Sequence, residues 1–537
     1  LILGLAQLPR RSTELPPDRP AAAARELGKP EDELRIDVQA YSLPPDAPAA
    51  LRAALPQLTA AFVGTDRGFE DLVNAANEVT RFLQRDLGLY LGYAYIPEQA
   101  FDGQTVRIAV LEGRLDRVVL NWPNSPEGLP VKREVVEAYL SQLKPGDVLT
   151  VEAVERTVFL INDLRGIVTR AEVKAGSKPG TAILEFTPRA EARYSGSIDA
   201  DLNGSKVIGA ERLGAQVIMA SPLGRGDGLS ASVLSSINGG LRFALLGYTS
   251  PIGADGFKAG MSLSAVRYQL DKKEFPLGLE GTGTTLNAFA LYPWLRSRNF
   301  NLFVLGAADV KRYADNVAAL TTNKRVDDVN LGVSGDFRDS LLTGSVNTFE
   351  FNLAQGRLQF ADKPPTDGDD ARRFTKFTGA ASRLQNIVSN RLLAYLSVRG
   401  QWALQNLDST EQFRAGGPNG VRAFAPGEGT GDSGAVASLE LRWLPSSSLL
   451  GRWASEFVVA AFYDAAVIQY RHDPNLVVRE PGYVNHTWLG GAGLSLVWAR
   501  GSQYALRMSV ATPTQGEASS ESQHRKVRFY AQGSWSF

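Results

Sequence analysis

The chain reads as a membrane β-barrel of about sixteen antiparallel strands preceded by two small α+β domains. Three observations predict this. Beyond residue 190 the sequence alternates apolar and polar residues over segments of roughly ten. The connections between those segments are alternately short and long. Before residue 190, helical and strand periods mix, in a unit that occurs twice.

The first six residues, Leu1-Ile2-Leu3-Gly4-Leu5-Ala6, resemble the end of a signal peptide, with a small residue before Gln7. Residues 7–33 are rich in Pro, Ala and charge and read as an N-terminal segment and linker. The first α+β unit covers 34–113. Leu34–Val38 is a strand. Asp71–Leu87 is a helix on the spacing of Leu72, Ala75, Ala76, Val79, Phe82 and Leu83. Leu91–Ile96 and Val106–Leu111 are strands. The second unit covers 114–189, with strand Leu115–Leu120, helices Lys132–Gln142 and Val151–Leu164, and strands Ile167–Val173 and Thr181–Thr187. Both follow a β-α-α-β-β order.

Residues 190–537 carry the barrel. Val329, Leu331, Val333 and Phe337 alternate with Asn330, Ser334, Asp336 and Arg338. Leu392, Leu396, Val398 and Trp402 alternate with Tyr395, Ser397, Arg399 and Gln401; Leu439, Leu441 and Trp443 alternate with Glu440 and Arg442. Short turns are expected at 221–227, 250–256, 294–299, 338–340, 445–451 and 500–502. Long loops are expected at 271–281, 314–324, 361–373, 406–432, 471–485 and 512–524, with one tight type I′ hairpin at Asn238-Gly239. An even strand count returns both barrel ends to the short-turn rim, which is then periplasmic. Seven of the eight Trp lie beyond residue 190, and Trp294, Trp443, Trp498 and Trp535 sit near strand ends, as an interfacial girdle requires. The last residue, Phe537, ends an alternating strand, a C-terminus of the kind that barrel assembly machinery recognises.

Composition narrows the chemistry. Of 537 residues 44% are hydrophobic and 21% charged, and 57 Lys+Arg balance 57 Asp+Glu, so bulk charge gives no case for nucleic acid. With no Cys, disulfides, zinc thiolates and cysteine catalysis are excluded. The three His (His472, His486, His524) fall in polar, loop-like surroundings. No run of apolar residues is long enough for a transmembrane helix. No cofactor or metal site and no catalytic residue is indicated, so an enzyme is not expected.

The stretch GVRAFAPGEGTGDSG (420–434) admits three readings. Gly429–Gly434 fits G-x-G-x-x-G, but a dinucleotide loop must open a helix, and this one leads into the alternating segment 435–444. Gly431-Asp432-Ser433-Gly434 resembles the surroundings of a serine nucleophile, yet no His stands in a companion motif. In the third reading, Val421-Arg422-Ala423-Phe424 is the tip of a loop that enters the barrel. Phe457–Ile468 is a nearly all-apolar strand interrupted by Asp464. A carboxylate is disfavoured against lipid and inside seeks a cation or water. The residues alone leave two options equal: Arg422 delivered to Asp464, or each solvated separately.

Taken in order, these features resemble the Omp85 superfamily, and most closely the outer-membrane transporters of two-partner secretion (TpsB family, like the filamentous-haemagglutinin transporter). The tip motif V-R-G-[FY] is matched by Val421-Arg422-Ala423-Phe424 and the motif F-x-D-x-G by Phe462-Tyr463-Asp464-Ala465-Ala466, with Ala423 and Ala466 in place of Gly. Weaker similarities are Ser221–Asp227, Ser250–Gly253 and Tyr292–Ser297. The resemblance implies two periplasmic POTRA domains (34–113 and 114–189), a sixteen-stranded barrel (190–537) with loop 406–432 folded into its lumen, and an Arg422–Asp464 pair holding that loop. It also implies export of a large unfolded exoprotein caught by the POTRA domains, with the assembly machinery and outer-membrane lipid as further partners. The N-terminal plug helix of that family is not expected to be long here, because Pro9, Pro16, Pro17 and Pro20 interrupt it. An insertase of the same superfamily and a passive solute porin are the alternative functions.

Overall fold

The computed structural model describes residues 35–99, 105–124, 128–273, 278–317, 320–361, 372–388, 391–476, 483–517 and 526–537. The signal-like residues 1–6, the segment 7–33 and His524 lie outside them. The chain forms two compact units, Leu1–Glu191 and Ala192–Phe537.

In the first unit, β1 (Arg35–Val38) and β2 (Ala40–Ser42) lead to helix α1 (Ala49–Thr59). Strand β3 (Gly64–Gly68), helix α2 (Phe69–Arg85), and strands β4 (Tyr93–Tyr95), β5 (Thr105–Arg107) and β6 (Ala109–Leu111) follow. Helix α2 buries Leu72, Ala75, Ala76, Val79 and Leu83, the stripe its spacing predicts, and Asp71 caps its start by accepting the Gly68 N–H at 3.0 Å. Helix α1 is not evident in the sequence, since Pro48 stands at its N-cap and Pro56 inside it. Strand β3, which pairs with β1, adds an element to the expected order.

The second small domain has that order unmodified: β7 (Arg114–Leu120), α3 (Arg133–Leu140), α4 (Val151–Asn162), β8 (Ile167–Ala175) and β9 (Thr181–Ala190). Its sheet runs β7-β9-β8, with β9 parallel to β7 and antiparallel to β8. Helix α4 buries Val154, Val158, Leu160 and Ile161. Two surface ties close the sheet. Lys174 meets Glu185 at 2.6 Å, which raises the amine's pKa and lowers that of the carboxyl. The Asp116 carboxylate accepts the Ser177 N–H at 2.8 Å, and this bond holds its pKa below the ordinary value.

The second unit is one closed barrel of sixteen antiparallel strands. In order, they begin with β10 (Tyr194–Asp201), β11 (Arg212–Ala220), β12 (Gly228–Ser236), β13 (Leu241–Pro251) and β14 (Lys258–Gln269). Next come β15 (Leu279–Arg296), β16 (Phe300–Val317), β17 (Leu320–Asp339), β18 (Ser345–Phe360), β19 (Arg373–Val388) and β20 (Leu392–Ala403). After two short strands inside a loop, β21 (Phe413–Arg414) and β22 (Thr430–Gly431), the wall resumes with β23 (Ser433–Trp443), β24 (Phe457–Gln469), β25 (His486–Arg500), β26 (Tyr504–Gln515) and β27 (Arg528–Ser536). The outer face carries exposed Leu263, Leu286, Leu331, Phe351, Leu396, Leu439 and Leu494, an apolar belt that a soluble protein would not present to water. Trp294, Trp443 and Trp535 are exposed toward the short-turn rim and Trp402 and Trp488 toward the other, so the girdle is double.

Four expectations need correction. First, residues 314–317 and 320–324, expected within a loop at 314–324, are not a loop. They are the paired ends of β16 and β17, which stay in register to Val317↔Leu320. Strands β15 to β19 have 16 to 20 residues, well beyond the membrane's need, and the polar outer ends of β16 and β17 carry no apolar alternation that would mark them as strand. Second, the Asn238-Gly239 turn is not type I′. Only Gly239 has a positive φ (74°), and its N–H bonds Ser236 O at 3.0 Å, so Ile237-Asn238 form the turn and Gly239 the bulge. Third, the connection from β23 to β24 is longer than the expected 445–451, taking in helix α5 (Ser447–Leu450) and a 3-10 segment (Gly451–Glu456). Fourth, His486 opens β25 and is not in a loop.

The barrel closes where β10 meets β27 over five registered pairs, Ser197↔Ser536 to Asp201↔Gln532. Phe537 extends this seam: Gly196 and Phe537 exchange both backbone hydrogen bonds at 3.0 Å, and the Phe537 ring packs against Trp535 at 5.4 Å.

Candidate functional site

The loop between β20 and β23 folds into the barrel. Its base is the small hairpin of β21 with β22, Phe413↔Gly431 and Arg414↔Thr430. Gly429 enters that hairpin with φ of 62°, a left-handed turn that its missing side chain permits. From the wall, Arg399 of β20 donates to Arg414 O (2.9 Å) and Asn419 O (3.2 Å) and stacks on the Phe413 ring.

At the tip, Val421, Ala423 and Phe424 are buried with Val436, Phe462, Ala466, Ile468 and Leu489 of the wall. The Phe424 carbonyl accepts the Tyr530 hydroxyl of β27 at 2.7 Å. Arg422 lies between these apolar neighbours and makes the polar contacts. Its Nε donates to Asp464 Oδ2 (2.9 Å) and Nη2 to Asp464 Oδ1 (2.8 Å), a bidentate fork, and its backbone N–H also reaches Oδ2 (3.0 Å). Nη1 donates to Glu440 Oε1 (2.8 Å) and Nη2 to Ser438 Oγ (3.0 Å), while the Ser438 hydroxyl donates to Asp464 Oδ1 (2.7 Å). The guanidinium lies 3.3 Å from the centre of the Phe462 ring. Asp464 is 0% exposed. Arg442 contacts the other oxygen of Glu440 at 2.7 Å.

This arrangement follows from strand parity. On β23, Val436, Ser438, Glu440 and Arg442 point inward because Leu439, Leu441 and Trp443 point out. On β24, Phe462, Asp464, Ala466 and Ile468 point inward. Of the two options left open by the residues, the paired one is present. The Ala at position 423 has its own accommodation. Gly491 lies directly opposite Asp464 on β25, and a Cβ at Gly491 would collide with the Ala423 methyl.

The remaining residues of the stretch have structural roles. Asp432 accepts the backbone N–H groups of Leu407 (3.1 Å) and His472 (2.9 Å) and the Gln412 amide (2.8 Å). Ser433 Oγ accepts the Ala403 N–H at 3.0 Å. Gly429–Gly434 leads into a strand, as the sequence requires.

A second tie, at the loop's entrance, is not announced by any motif. Glu411 is buried between Lys311 of β16 (2.8 Å) and Lys376 of β19 (2.8 Å), and Lys311 also meets Asp328 of β17 at 2.8 Å. Asp408 meets Lys324 of β17 at 3.1 Å. The one signal for it in the sequence is the inward parity of Asp309, Lys311 and Asp328, which lie outside the expected loop 314–324.

The family of haemolysin secretion/activation proteins ShlB/FhaC/HecB matches residues 180–468, and the ShlB-type POTRA domain matches residues 46–113. The chain belongs to this family. It is an outer-membrane transporter of two-partner secretion with POTRA domains in the periplasm. The heme/hemopexin transporter protein HuxB of Haemophilus influenzae (strain ATCC 51907 / DSM 11121 / KW20 / Rd) is 25% identical over 472 residues, 86% of this chain and 81% of HuxB. The outer membrane transporter CdiB of Dickeya dadantii (strain 3937) is 24% identical over 404 residues, 72% of this chain and 68% of its own. The solved structure of CdiB from Escherichia coli superposes with a TM-score of 0.70 at 19% identity, covering 96% of this chain and 93% of that one, and so shares the fold.

Proposed function

We propose that this transporter carries a large unfolded exoprotein through its lumen, and that the Arg422 node holds the inward-folded loop in the position that export requires. Neither catalysis nor a cofactor enters this reading; barrel assembly machinery and outer-membrane lipid are its partners in biogenesis. The supporting observation is the concentration of five side-chain contacts from one loop Arg onto two neighbouring wall strands. The exoprotein is received in the periplasm by strand addition. Strand β8, at the edge of the sheet β7-β9-β8, offers a nine-residue ladder for this.

Removing one partner of a buried pair costs on the order of 3–5 kcal/mol, because the other charge is left unpaired. Arg422→Ala therefore abolishes export, while the protein still reaches the outer membrane as a folded, heat-modifiable barrel. Secretion of the exoprotein at the wild-type rate by a correctly inserted Arg422→Ala protein would overturn the role given to the node. Depletion of the transporter leaves porin levels unchanged, whereas an insertase would lower them broadly.

A further inference from the structure

The outer wall of the tall strands carries a charge pattern that export does not use. Along these strands, residues facing out alternate with buried inward residues such as Asp309, Lys324 and Asp328. Beyond the apolar belt, toward the long-loop rim, the outward positions hold Arg267 (β14), Arg312 (β16), Arg325 (β17), Arg357 (β18) and Arg373 (β19). The chain's net charge is zero, so this cluster is local and does not reflect a basic protein.

Two features mark it as unbalanced. Arg312 stands directly across the ladder from Arg325, and Arg357 directly across from Arg373. Like charges at directly opposed positions destabilise a sheet unless something neutralises them. Among the described residues the carboxylates facing the cluster are two: Asp327, 2.9 Å from Arg325 Nε and directly across the ladder from Arg357, and Glu280, 3.8 Å from Arg267 Nη2. Arg312, Arg357 and Arg373 make no ion pair among the described residues. Between β15 and β18 the surface opens into a recess of about 380 Å³, lined by Thr282, Thr284, Arg312, Asn323, Arg325 and Gln359. These are donors to oxygen, and Arg binds phosphate as a fork. Below the recess the outward residues turn apolar: Leu286, Val329, Leu353 and Phe377, the last stacked on Trp402 at 5.8 Å.

We propose that this surface binds the phosphorylated headgroup of a glycolipid in the outer leaflet, its phosphates on the arginines and its acyl chains along the belt below. The order of the two zones favours a lipid over a free anion, since only a lipid supplies phosphate and hydrocarbon one above the other. The occupant also explains why the arginines can oppose one another: the anion lies between them.

The test uses the purified full chain in detergent micelles, titrated with lipopolysaccharide and, separately, with the same material stripped of its phosphates. The wild-type protein binds the phosphorylated form and binds the stripped form at least about tenfold more weakly. The variant Arg312→Gln/Arg357→Gln/Arg373→Gln loses a similar factor, and the corresponding triple Lys variant recovers part of it with stronger dependence on salt. Heat-modifiable migration verifies that the variants are folded; should the Gln variant fail to fold, the stripped lipid on wild-type protein still decides. Equal binding of both lipid forms would overturn the proposal. So would full displacement of the lipid by inorganic phosphate at equal concentration, which would make a free anion the ligand.

Discussion

Position 491 shows how a loop and a wall fit each other residue by residue. Gly491 faces inward opposite Asp464, and the space its side chain would fill is taken by the Ala423 methyl. The tip motif of the family carries Gly where this chain has Ala423, so the extra carbon here is housed by a missing one across the lumen. Gly491→Ala is therefore expected to displace the tip and cut export severely, since overpacking a close-packed site costs about 1–3 kcal/mol. Ala423→Gly alone should be nearly silent. The double variant Ala423→Gly/Gly491→Ala should restore most of the secretion lost by Gly491→Ala, as measured by exoprotein released into the medium. A double variant as defective as Gly491→Ala would show that the two positions are not coupled. Arg422 and Asp464 were legible as a possible pair because a charge on an apolar strand requires an explanation. Gly491 was not legible, because the sequence of β25 gives no sign of which glycine a distant loop will touch.

Among the elements, charged groups fasten the inward loop at both its tip and its entrance. Its tip is tied to β23, β24 and β27, and its entrance to β16, β17 and β19 through Lys311, Lys324 and Lys376. Glu411 lies between two ammonium groups, so neutralising it leaves Lys376 without its carboxylate and Lys311 with Asp328 alone. Glu411→Gln is expected to loosen the entrance while the tip stays seated. In planar bilayers this appears as more frequent opening events than in wild type, with export reduced less than in Arg422→Ala. Bilayer records indistinguishable from wild type would remove the entrance tie from the mechanism. The small domains show what local sequence does and does not encode at this scale. Helix α2 follows directly from its apolar stripe. Helix α1 is hidden by Pro48 and Pro56, yet it forms because Leu51 and Leu55 are buried in the domain core. The same limit applied to β16 and β17. Their polar outer ends rise above the hydrocarbon, so alternation of hydrophobicity stops while pairing continues to Val317↔Leu320.

The whole barrel was the most legible feature, because alternation over sixteen strands is imposed by two different solvents, lipid outside and water or the loop inside. What could not be read was its closure. The seam of β10 and β27 has five registered pairs, against eight or more between the neighbouring strands. Gly196 and Phe537 form a hydrogen-bonded pair, so the next pair, Ser197↔Ser536, is a non-hydrogen-bonded one, where opposed Cα atoms lie about 4.5 Å apart. That spacing suits a disulfide, and the chain has no other Cys to compete. Ser197→Cys/Ser536→Cys is expected to oxidise spontaneously and to raise the temperature at which the barrel loses its compact migration in detergent gels. An oxidised variant that unfolds at the wild-type temperature would show that unfolding begins away from the seam.

The uneven height of the wall also has a consequence. At about 3.3 Å per residue, strands of 18 and 20 residues stand far taller than the 8 of β10 or the 9 of β27. The excess is all at the outer rim, so the mouth of the barrel is cut on a slant, like the tip of a quill. An exit of that form has a direction: one flank is a screen and the opposite flank is open.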